Sequence, residues 1–251
     1  MRLWHYFSQA ILATSTTQDS HSSSTTTQDS LTSPAQTMAS KNTTIYFGYG
    51  SNLWRHQMSQ RCPSSEYLGI ARLNDYRWII NERGYANVVQ IDDERDEYGQ
   101  GAVTEAGKEP TSQTPYANQV WGLVYTLQPS DESRLDRNEG VPVAYTKEAM
   151  ECDFWAARDG SSASLPANTG EPPEKMRMLV YINREQTTPS EPKREYVYRM
   201  NMGIRDAVRE GVPEGYVRGV MRKFIPESGA EGEGGIEGVA RKQAAEFEDE
   251  T

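Results

Sequence analysis

Histidine and cysteine are both scarce in this chain of 251 residues, which contains three histidines and two cysteines. His5 and His21 lie in a segment rich in Ser, Thr and Gln, so only His56 belongs to the part that we expect to fold. Ordinary zinc sites need several His or Cys ligands, and a Ser-His-Asp or Cys-His site would have to use His56. Metal and nucleophilic catalysis are therefore poorly supported. If the chain is an enzyme, we expect a carboxylate or a tyrosine as its acid–base group.

The chain also lacks a long apolar run and a surplus of positive charge. No stretch approaches the ~18 apolar residues of a membrane-spanning helix. The net charge is −10, and six of these charges fall within residues 226–251. A domain without a basic face is a poor partner for nucleic acid. Cys62 and Cys152 lie far apart and without metal-type spacing, which favours free thiols in a reducing compartment.

Composition divides the chain into three parts. Residues 1–41 are rich in Ser and Thr and repeat TTQDS, so we expect a disordered leader. Residues 42–225 can form one folded domain, with surface insertions at about 92–118 and 157–175. Residues 226–251 form an acidic tail that we also expect to be disordered. The leader is a poor secretory signal, so we expect a cytoplasmic protein. Organelle targeting, and a start at Met38 rather than Met1, stay open.

Strands and a few helices are predicted within the domain. Strand patterns occur at 45–49, 67–73, 76–81, 86–91, 119–127, 146–155 and 176–183. A helix is predicted from Pro129 to about Asn138, ended by Gly140, and another from Arg194 to Arg209. Residues 214–224 are predicted to form a last short helix. This mixture favours an α+β domain built around a curled sheet or a small barrel.

The first strand breaks at a glycine turn, Gly48–Leu53, after which a short helix could begin with Ser51 or Asn52 as its cap. Such a turn leaves backbone N–H groups pointing outward, where they could bind a carboxylate or a phosphate. The turn does not match the dinucleotide fingerprint, the P-loop or the nucleophile elbow. A tight structural turn would explain the glycines equally well.

Glu139 is the carboxylate that stands out, because it follows the predicted helix at Gly140 instead of lying in a charged run. An ordinary surface glutamate near a helix end is the alternative. Tyr145 and Tyr196, taken by themselves, are as well explained as core or rim aromatics.

Four segments in order resemble the γ-glutamylcyclotransferase family. They are YFGYGSNL at Tyr46–Leu53, ARLNDY at Ala71–Tyr76, VWGLVY at Val120–Tyr125 and LDRNEGV at Leu135–Val141. Tyr196 also precedes Met202 and Gly203 much as in that family. The similarity covers roughly residues 44–224, interrupted by the two insertions.

The resemblance implies a small mixed β-barrel flanked by helices and an enzyme without a cofactor. Members cyclise γ-glutamyl compounds to 5-oxoproline and release an amino acid or an amine. It implies that Glu139 is the catalytic acid–base and that Tyr196, and with it Tyr145, lines the substrate pocket. The α-amino-acid end of the substrate would be held by Tyr46, Phe47, Gly48, Tyr49, Gly50 and Ser51, with Asn52 close by.

This chemistry suits a chain that is poor in histidine, because the substrate's own amine is the nucleophile. For both of its roles Glu139 should have a raised pKa. Asn52 stands where glutathione-specific relatives usually carry Leu, which favours γ-glutamyl amino acids or dipeptides. Cyclotransfer on γ-glutamylamines, glutathione or a glutathione-derived intermediate, a non-catalytic carboxylate binder and a hydrolase using Ser51 are the alternatives. We expect a small-molecule substrate as the partner, with neither nucleic acid nor membrane, and leave a homodimer open.

Overall fold

The computed structural model describes residues 43–91, 115–158 and 166–227, together with Gly238. The predicted leader, most of both predicted insertions and most of the acidic tail lie outside the described residues. Within the described ranges, no helix is long and apolar enough to cross a membrane.

Seven strands and four α-helices make up the described structure. The strands are β1 (Thr44–Gly48), β2 (Tyr67–Asn74), β3 (Tyr76–Ile80), β4 (Ala86–Gln90), β5 (Gln119–Leu127), β6 (Thr146–Ala156) and β7 (Glu174–Ile182). The helices are α1 (Arg55–Arg61), α2 (Pro129–Asn138), α3 (Arg194–Glu210) and α4 (Glu214–Gly219), with 3₁₀ turns at Ser51–Leu53 and Met221–Lys223. The predicted last helix is thus divided between α4 and the second 3₁₀ turn.

Five of the strands close a barrel in the order β1-β5-β2-β6-β7. Neighbouring strands are antiparallel except β1 and β7, which pair in parallel at Tyr46 and Leu179. The barrel is therefore mixed, and the expected α+β class is confirmed. Its interior is apolar, with Phe47, Ile70 and Leu123 fully buried. Each such side chain contributes roughly 1.5–3 kcal/mol by leaving water.

Strands β3 and β4 form a separate antiparallel hairpin outside the barrel, with Tyr76 opposite Gln90 and Ile80 opposite Ala86. Trp78 Nε1 donates to the backbone oxygen of Tyr49 at 3.0 Å. This bond attaches the hairpin to the turn that follows β1.

The periodicity of helix α3 explains its position. Val197, Met200 and Ile204 are buried on one face, as the spacing near 3.6 predicts. The helix ends at Gly211, whose φ of 111° lies in the left-handed region. Helix α2 ends in the same manner, with Gly140 at φ 62° one residue after Glu139. Glu139 thus lies at the junction between a helix end and a tight bend.

The predicted helix cap at Ser51 or Asn52 is wrong. These residues belong to the first 3₁₀ turn, and α1 begins after Trp54 without a side-chain cap. Both side chains are buried and bond to other side chains, with Gln57 Nε2 donating to Ser51 Oγ at 2.9 Å. Their polar atoms satisfy an interior network in place of the helix N–H groups.

Both cysteines are free, as predicted from their spacing, and both are buried. Burial raises the pKa of Cys62 and of Cys152 to about 12. Their thiols are therefore neutral at physiological pH and unsuited to nucleophilic attack.

Candidate active site

A cavity of about 50 Å³ lies at the bend after β1, where the 3₁₀ turn, the end of α2, the β3–β4 hairpin and α3 meet. Its wall is rich in aromatic rings, contributed by Tyr46, Tyr49, Tyr85, Tyr145, Tyr181 and Tyr196. Glu139 is the only carboxylate among the described residues that line it. The cavity thus has an aromatic wall around one acidic group.

Eight of the ten predicted site residues border this cavity. They are Tyr46, Tyr49, Gly50, Ser51, Asn52, Glu139, Tyr145 and Tyr196. Phe47 and Gly48 are not among the lining residues. The ring of Phe47 is fully buried in the barrel core, and Gly48 pairs with Leu123 of β5. Substrate contact by Phe47 and Gly48 stays a prediction.

Glu139 reaches the cavity from the end of α2, and its side chain is 18% exposed. Its Oε1 accepts a hydrogen bond from Asn52 Nδ2 at 2.8 Å. Arg61 Nη1 lies 3.9 Å from the same oxygen, too far for a direct hydrogen bond. The carboxylate is therefore hydrogen-bonded to a neutral amide, while the cationic Arg61 lies just beyond hydrogen-bond distance.

Burial raises the pKa of Glu139 above its usual value. The charge of Arg61, the hydrogen bond from Asn52 and the charges of Arg199 and Arg83 all act in the opposite direction, but they do not outweigh burial. The direction agrees with the sequence-based expectation of a raised pKa. A carboxyl group of this kind can both accept and donate a proton closer to neutral pH.

A buried polar network lies beneath the 3₁₀ turn. Gln57 Nε2 donates to Ser51 Oγ at 2.9 Å and to Asn52 Oδ1 at 2.8 Å. Arg199 Nη1 donates to Ser51 Oγ at 3.3 Å, and its side chain is only 1% exposed. Buried polar groups that bond to one another fix a single arrangement of the turn.

More backbone amides of the glycine turn have hydrogen-bond partners than predicted. Ser51 N–H donates to Tyr196 Oη at 3.2 Å, Leu53 N–H to Gly50 O at 2.9 Å and Trp54 N–H to Ser51 O at 3.0 Å. The expectation that these groups point outward without partners is wrong at these three positions. The reason is that the turn closes into a 3₁₀ helix and packs against α3.

Gly50 is required at this turn by close packing. A Cβ atom there would lie 2.9 Å from Tyr196 Oη and 3.2 Å from Ala86 Cβ. Tyr196 Oη also accepts from Ala86 N–H at 3.3 Å. One phenol oxygen therefore joins the turn, helix α3 and the β3–β4 hairpin.

Tyr145 connects the hairpin to the region after α2, because its Oη donates to Ala86 O at 2.8 Å. The guanidinium of Arg83, from the same hairpin, lies over the rings of Tyr85 and Tyr145, with its Cζ 5.8 and 5.7 Å from their centroids. Arg83 is half-buried and lines the cavity. The hairpin thus contributes a cation to the site.

Three arginines that were not predicted from the sequence line the cavity, namely Arg61, Arg83 and Arg199. Arg199 lies one helical turn after Tyr196, and Arg61 lies one helical turn after Gln57. That spacing was a usable signal, since residues three or four apart share a helix face. Arg83 lies in a hairpin turn, where no periodicity marks it.

The site does not resemble that of a serine hydrolase. His56, the histidine of the described residues, is exposed and lies 3.0 Å from Gln60 Nε2. Ser51 Oγ contacts Gln57 and Arg199 instead. A serine nucleophile needs a base within hydrogen-bond reach, and His56 does not provide one to Ser51.

No protein-family model matches the chain, but individual curated proteins are similar to part of it. Over 98 residues it is 31% identical to the gamma-glutamylcyclotransferase of Bos taurus, which covers 39% of this chain and 44% of that protein. The mouse gamma-glutamylcyclotransferase is 29% identical over 99 residues, covering 39% of this chain and 45% of that protein. The chain therefore spans less than half the length of the curated relatives it matches.

The fold is similar over a longer stretch. A solved structure titled gamma-glutamyl cyclotransferase superposes with a TM-score of 0.52 and 20% identity, covering 80% of this chain and 99% of that one. The resemblance to the γ-glutamylcyclotransferase family is confirmed. The barrel with its flanking helices is the γ-glutamylcyclotransferase fold.

Proposed function

We propose that this chain is a γ-glutamylcyclotransferase that converts a γ-glutamyl amino acid or dipeptide to 5-oxoproline and releases the amino acid. The observation that carries the proposal is Glu139, a carboxyl group with a raised pKa in a cavity bordered by the YGSN turn. The partial sequence match to enzymes of this name supports it.

The reaction is a ring closure within the substrate. The α-amine nitrogen attacks the γ-carbonyl carbon, a ring C–N bond forms, and the bond from that carbon to the leaving nitrogen breaks. Glu139 accepts a proton from the α-ammonium group and later donates one to the leaving nitrogen. Because the nucleophile belongs to the substrate, the protein has to hold a near-attack shape and move protons.

The charge of the cavity supports a substrate with more than one carboxylate. Three arginines and one glutamate line it, so the lining is net positive in a chain whose overall charge is −10. A γ-glutamyl amino acid carries two carboxylates, whereas a γ-glutamylamine carries one. A cationic lining favours the former.

Arg83 is suited to the second carboxylate. Arg61 and Arg199 are 2% and 1% exposed and bond within the buried network. Arg83 is more exposed and lies on the hairpin, on the ring faces of Tyr85 and Tyr145. A guanidinium there can bind a carboxylate in a bidentate manner.

The test is an assay for 5-oxoproline with γ-glutamyl-alanine, γ-glutamyl-ethylamide and glutathione. We expect release from γ-glutamyl-alanine and loss of that release in Glu139→Gln. Glu151→Gln is the matched control, because Glu151 is exposed and pairs with Lys175 on β7. No release from any of the three substrates by the parent protein would contradict the proposed function and favour a non-catalytic binder.

A further inference from the structure

The side-chain amide of Asn52 uses every hydrogen-bonding position that it has. Its Nδ2 donates to Tyr46 Oη and to Glu139 Oε1, both at 2.8 Å. Its Oδ1 accepts from Gln57 Nε2 at 2.8 Å and from Arg61 Nη1 at 3.3 Å. A primary amide has two donor hydrogens and two acceptor lone pairs. Asn52 is 3% exposed, and its amide is fully occupied without a ligand.

The orientation of this amide follows from its neighbours. A guanidinium group can only donate hydrogen bonds. The Asn52 atom that faces Arg61 must therefore be the acceptor Oδ1, and Nδ2 must face Glu139. A flipped amide would place two donors against each other at Arg61.

The two carboxylate oxygens of Glu139 consequently have different hydrogen-bonding surroundings. Oε1 faces two donors, Asn52 Nδ2 at 2.8 Å and Arg61 Nη1 at 3.9 Å. Among the residues that the structure describes, no hydrogen-bond partner contacts Oε2. A carboxylic proton is unfavourable on an oxygen that already faces donors, and favourable on the oxygen that has none.

We propose that Asn52 is a positioning residue. Its hydrogen bond occupies Oε1 of Glu139 and leaves Oε2 as the oxygen that exchanges protons in the cavity. This role replaces the direct substrate contact that the family resemblance implied for Asn52. Its catalytic meaning rests on the proposed function, whereas the coupling between Asn52 and Glu139 is a property of the protein alone.

The other charged or titratable groups that act on Glu139 come from every element packed around it. They are Arg61 and Cys62 at α1, Arg83 of the hairpin, Tyr196 and Arg199 of α3, Tyr46 and Tyr49 near β1, Tyr145, and Tyr181 of β7. Burial raises the pKa of the five tyrosines and of Cys62, so all six stay neutral. A change in the titration of this cluster near neutral pH therefore belongs to Glu139.

The substitution Asn52→Asp tests the coupling with almost no change in shape. The new carboxylate keeps an acceptor for Gln57 and Arg61 but replaces the donor facing Oε1 with a like charge. Loss of the donor and repulsion both favour the protonated form of Glu139. We expect its titration to move to higher pH by about one unit.

The titration is measured by NMR on the full chain labelled with ¹³C at the glutamate carboxyl carbon. The Glu139 signal is assigned by its absence in Glu139→Gln. The acidic limb of the pH profile of kcat/KM should move by the same amount, with KM for γ-glutamyl-alanine nearly unchanged. Asn201→Asp is the matched control. Asn201 lies on helix α3 outside the cavity lining, and its side chain bonds to Pro226 O and to Arg222. It should leave the Glu139 signal where it is.

A second variant decides the matter if circular dichroism shows that Asn52→Asp does not fold. Asn52→Ala removes the donor to Glu139 Oε1 without adding a charge and leaves Arg61 in place. The Glu139 titration should again move to higher pH.

An unchanged Glu139 titration in the folded variant, combined with a raised KM, would overturn the proposal and assign Asn52 to substrate contact. Failure of the proposed function has a different signature, since the parent protein would then release no 5-oxoproline. The NMR titration needs no turnover and would still decide whether Asn52 acts on Glu139.

Discussion

Two carboxylates, Glu139 at the cavity and Asp153 on β6, are each accompanied by an arginine and an asparagine, yet their pKa values move in opposite directions. Both oxygens of Asp153 are engaged. Oδ2 accepts from Arg72 Nη2 at 2.6 Å and from Asn74 Nδ2 at 2.8 Å, and Oδ1 lies 2.7 Å from Lys175 Nζ. Burial by itself would raise the pKa of Asp153, but these contacts outweigh it and lower the pKa to about 2.

The difference lies in where the cation sits. At Asp153 the ammonium of Lys175 and the guanidinium of Arg72 both touch the carboxylate. At Glu139 the amide of Asn52 occupies the contact position and Arg61 stays 3.9 Å away. A directly paired carboxylate is locked in its charged form. A carboxylate bonded on one oxygen by a neutral donor keeps both protonation states within reach. The first arrangement stabilises a barrel and the second suits proton transfer.

The strongest test of this comparison is the pair Glu139→Gln and Asp153→Asn, which make the same chemical change at the two sites. Glu139→Gln should lower kcat for 5-oxoproline release by about 10²–10⁴-fold, the usual contribution of a general acid–base group. Asp153→Asn should keep the parental kcat, since Asp153 does not line the cavity. Equal losses in both variants would show that Glu139 acts only through the fold.

Arg83→Gln sharpens the comparison by removing the cation that the β3–β4 hairpin contributes to the cavity lining. We expect KM for γ-glutamyl-alanine to rise about tenfold or more, as for a lost charge-assisted hydrogen bond. KM for γ-glutamyl-ethylamide should not change, because it lacks the second carboxylate. The control is Arg77→Gln, an exposed position on the same hairpin. A rise for both substrates would assign Arg83 to the glutamyl end instead.

Asp153→Asn should destabilise the fold by about 1–2 kcal/mol at neutral pH. The pKa of Asp153 is lowered in the folded state, so its contribution is present above about 4 and lost as the pH falls towards about 2. For a domain of this size the melting temperature should drop by roughly 2–8 °C at pH 7. Thermal denaturation of both proteins should show the difference disappearing in acid. A difference that persists at pH 2 would mean that the lost stability is not electrostatic.

Glu139→Gln should have the opposite and smaller effect on stability. Burial raises the pKa of Glu139 in the folded state, so parental stability falls as the pH rises through the interval between its unfolded and folded values. The uncharged variant avoids this loss and should melt above the parent at pH 7. The two curves should converge as the pH falls below the unfolded value, about 4.3. A lower melting temperature at pH 7 would mean that the charge of Glu139 stabilises the network.

The sequence was a good guide to the barrel because its strands are apolar and its helices periodic. Strand β5 was predicted with its observed bounds, and α3 differs from its prediction by one residue. The helix cap was wrong because Ser51 and Asn52 suit a cap and an interior network equally well. Only the packing of α3 against the turn distinguishes them, with Gly203 closely opposed to Leu53.

Glu139 and most of the turn residues that line the cavity were predicted from the sequence, but the arginines that line it were not. Buried arginines look like surface arginines in a sequence, because their burial depends on partners far along the chain. Arg199 bonds to Ser51, which is 148 positions away. The contact between Asn52 and Glu139 was hidden for the same reason, since it spans 87 positions.

The β3–β4 hairpin stands outside the closed barrel yet supplies Arg83, Tyr85 and Ala86 to the cavity wall. Glu139 and the side chains that orient it come from the barrel and its helices. Under the proposed function, recognition of the departing half of the substrate and proton transfer would thus be carried by separable parts of the polypeptide. A transplanted hairpin would then alter which compound is accepted and leave the surroundings of Glu139 as they are.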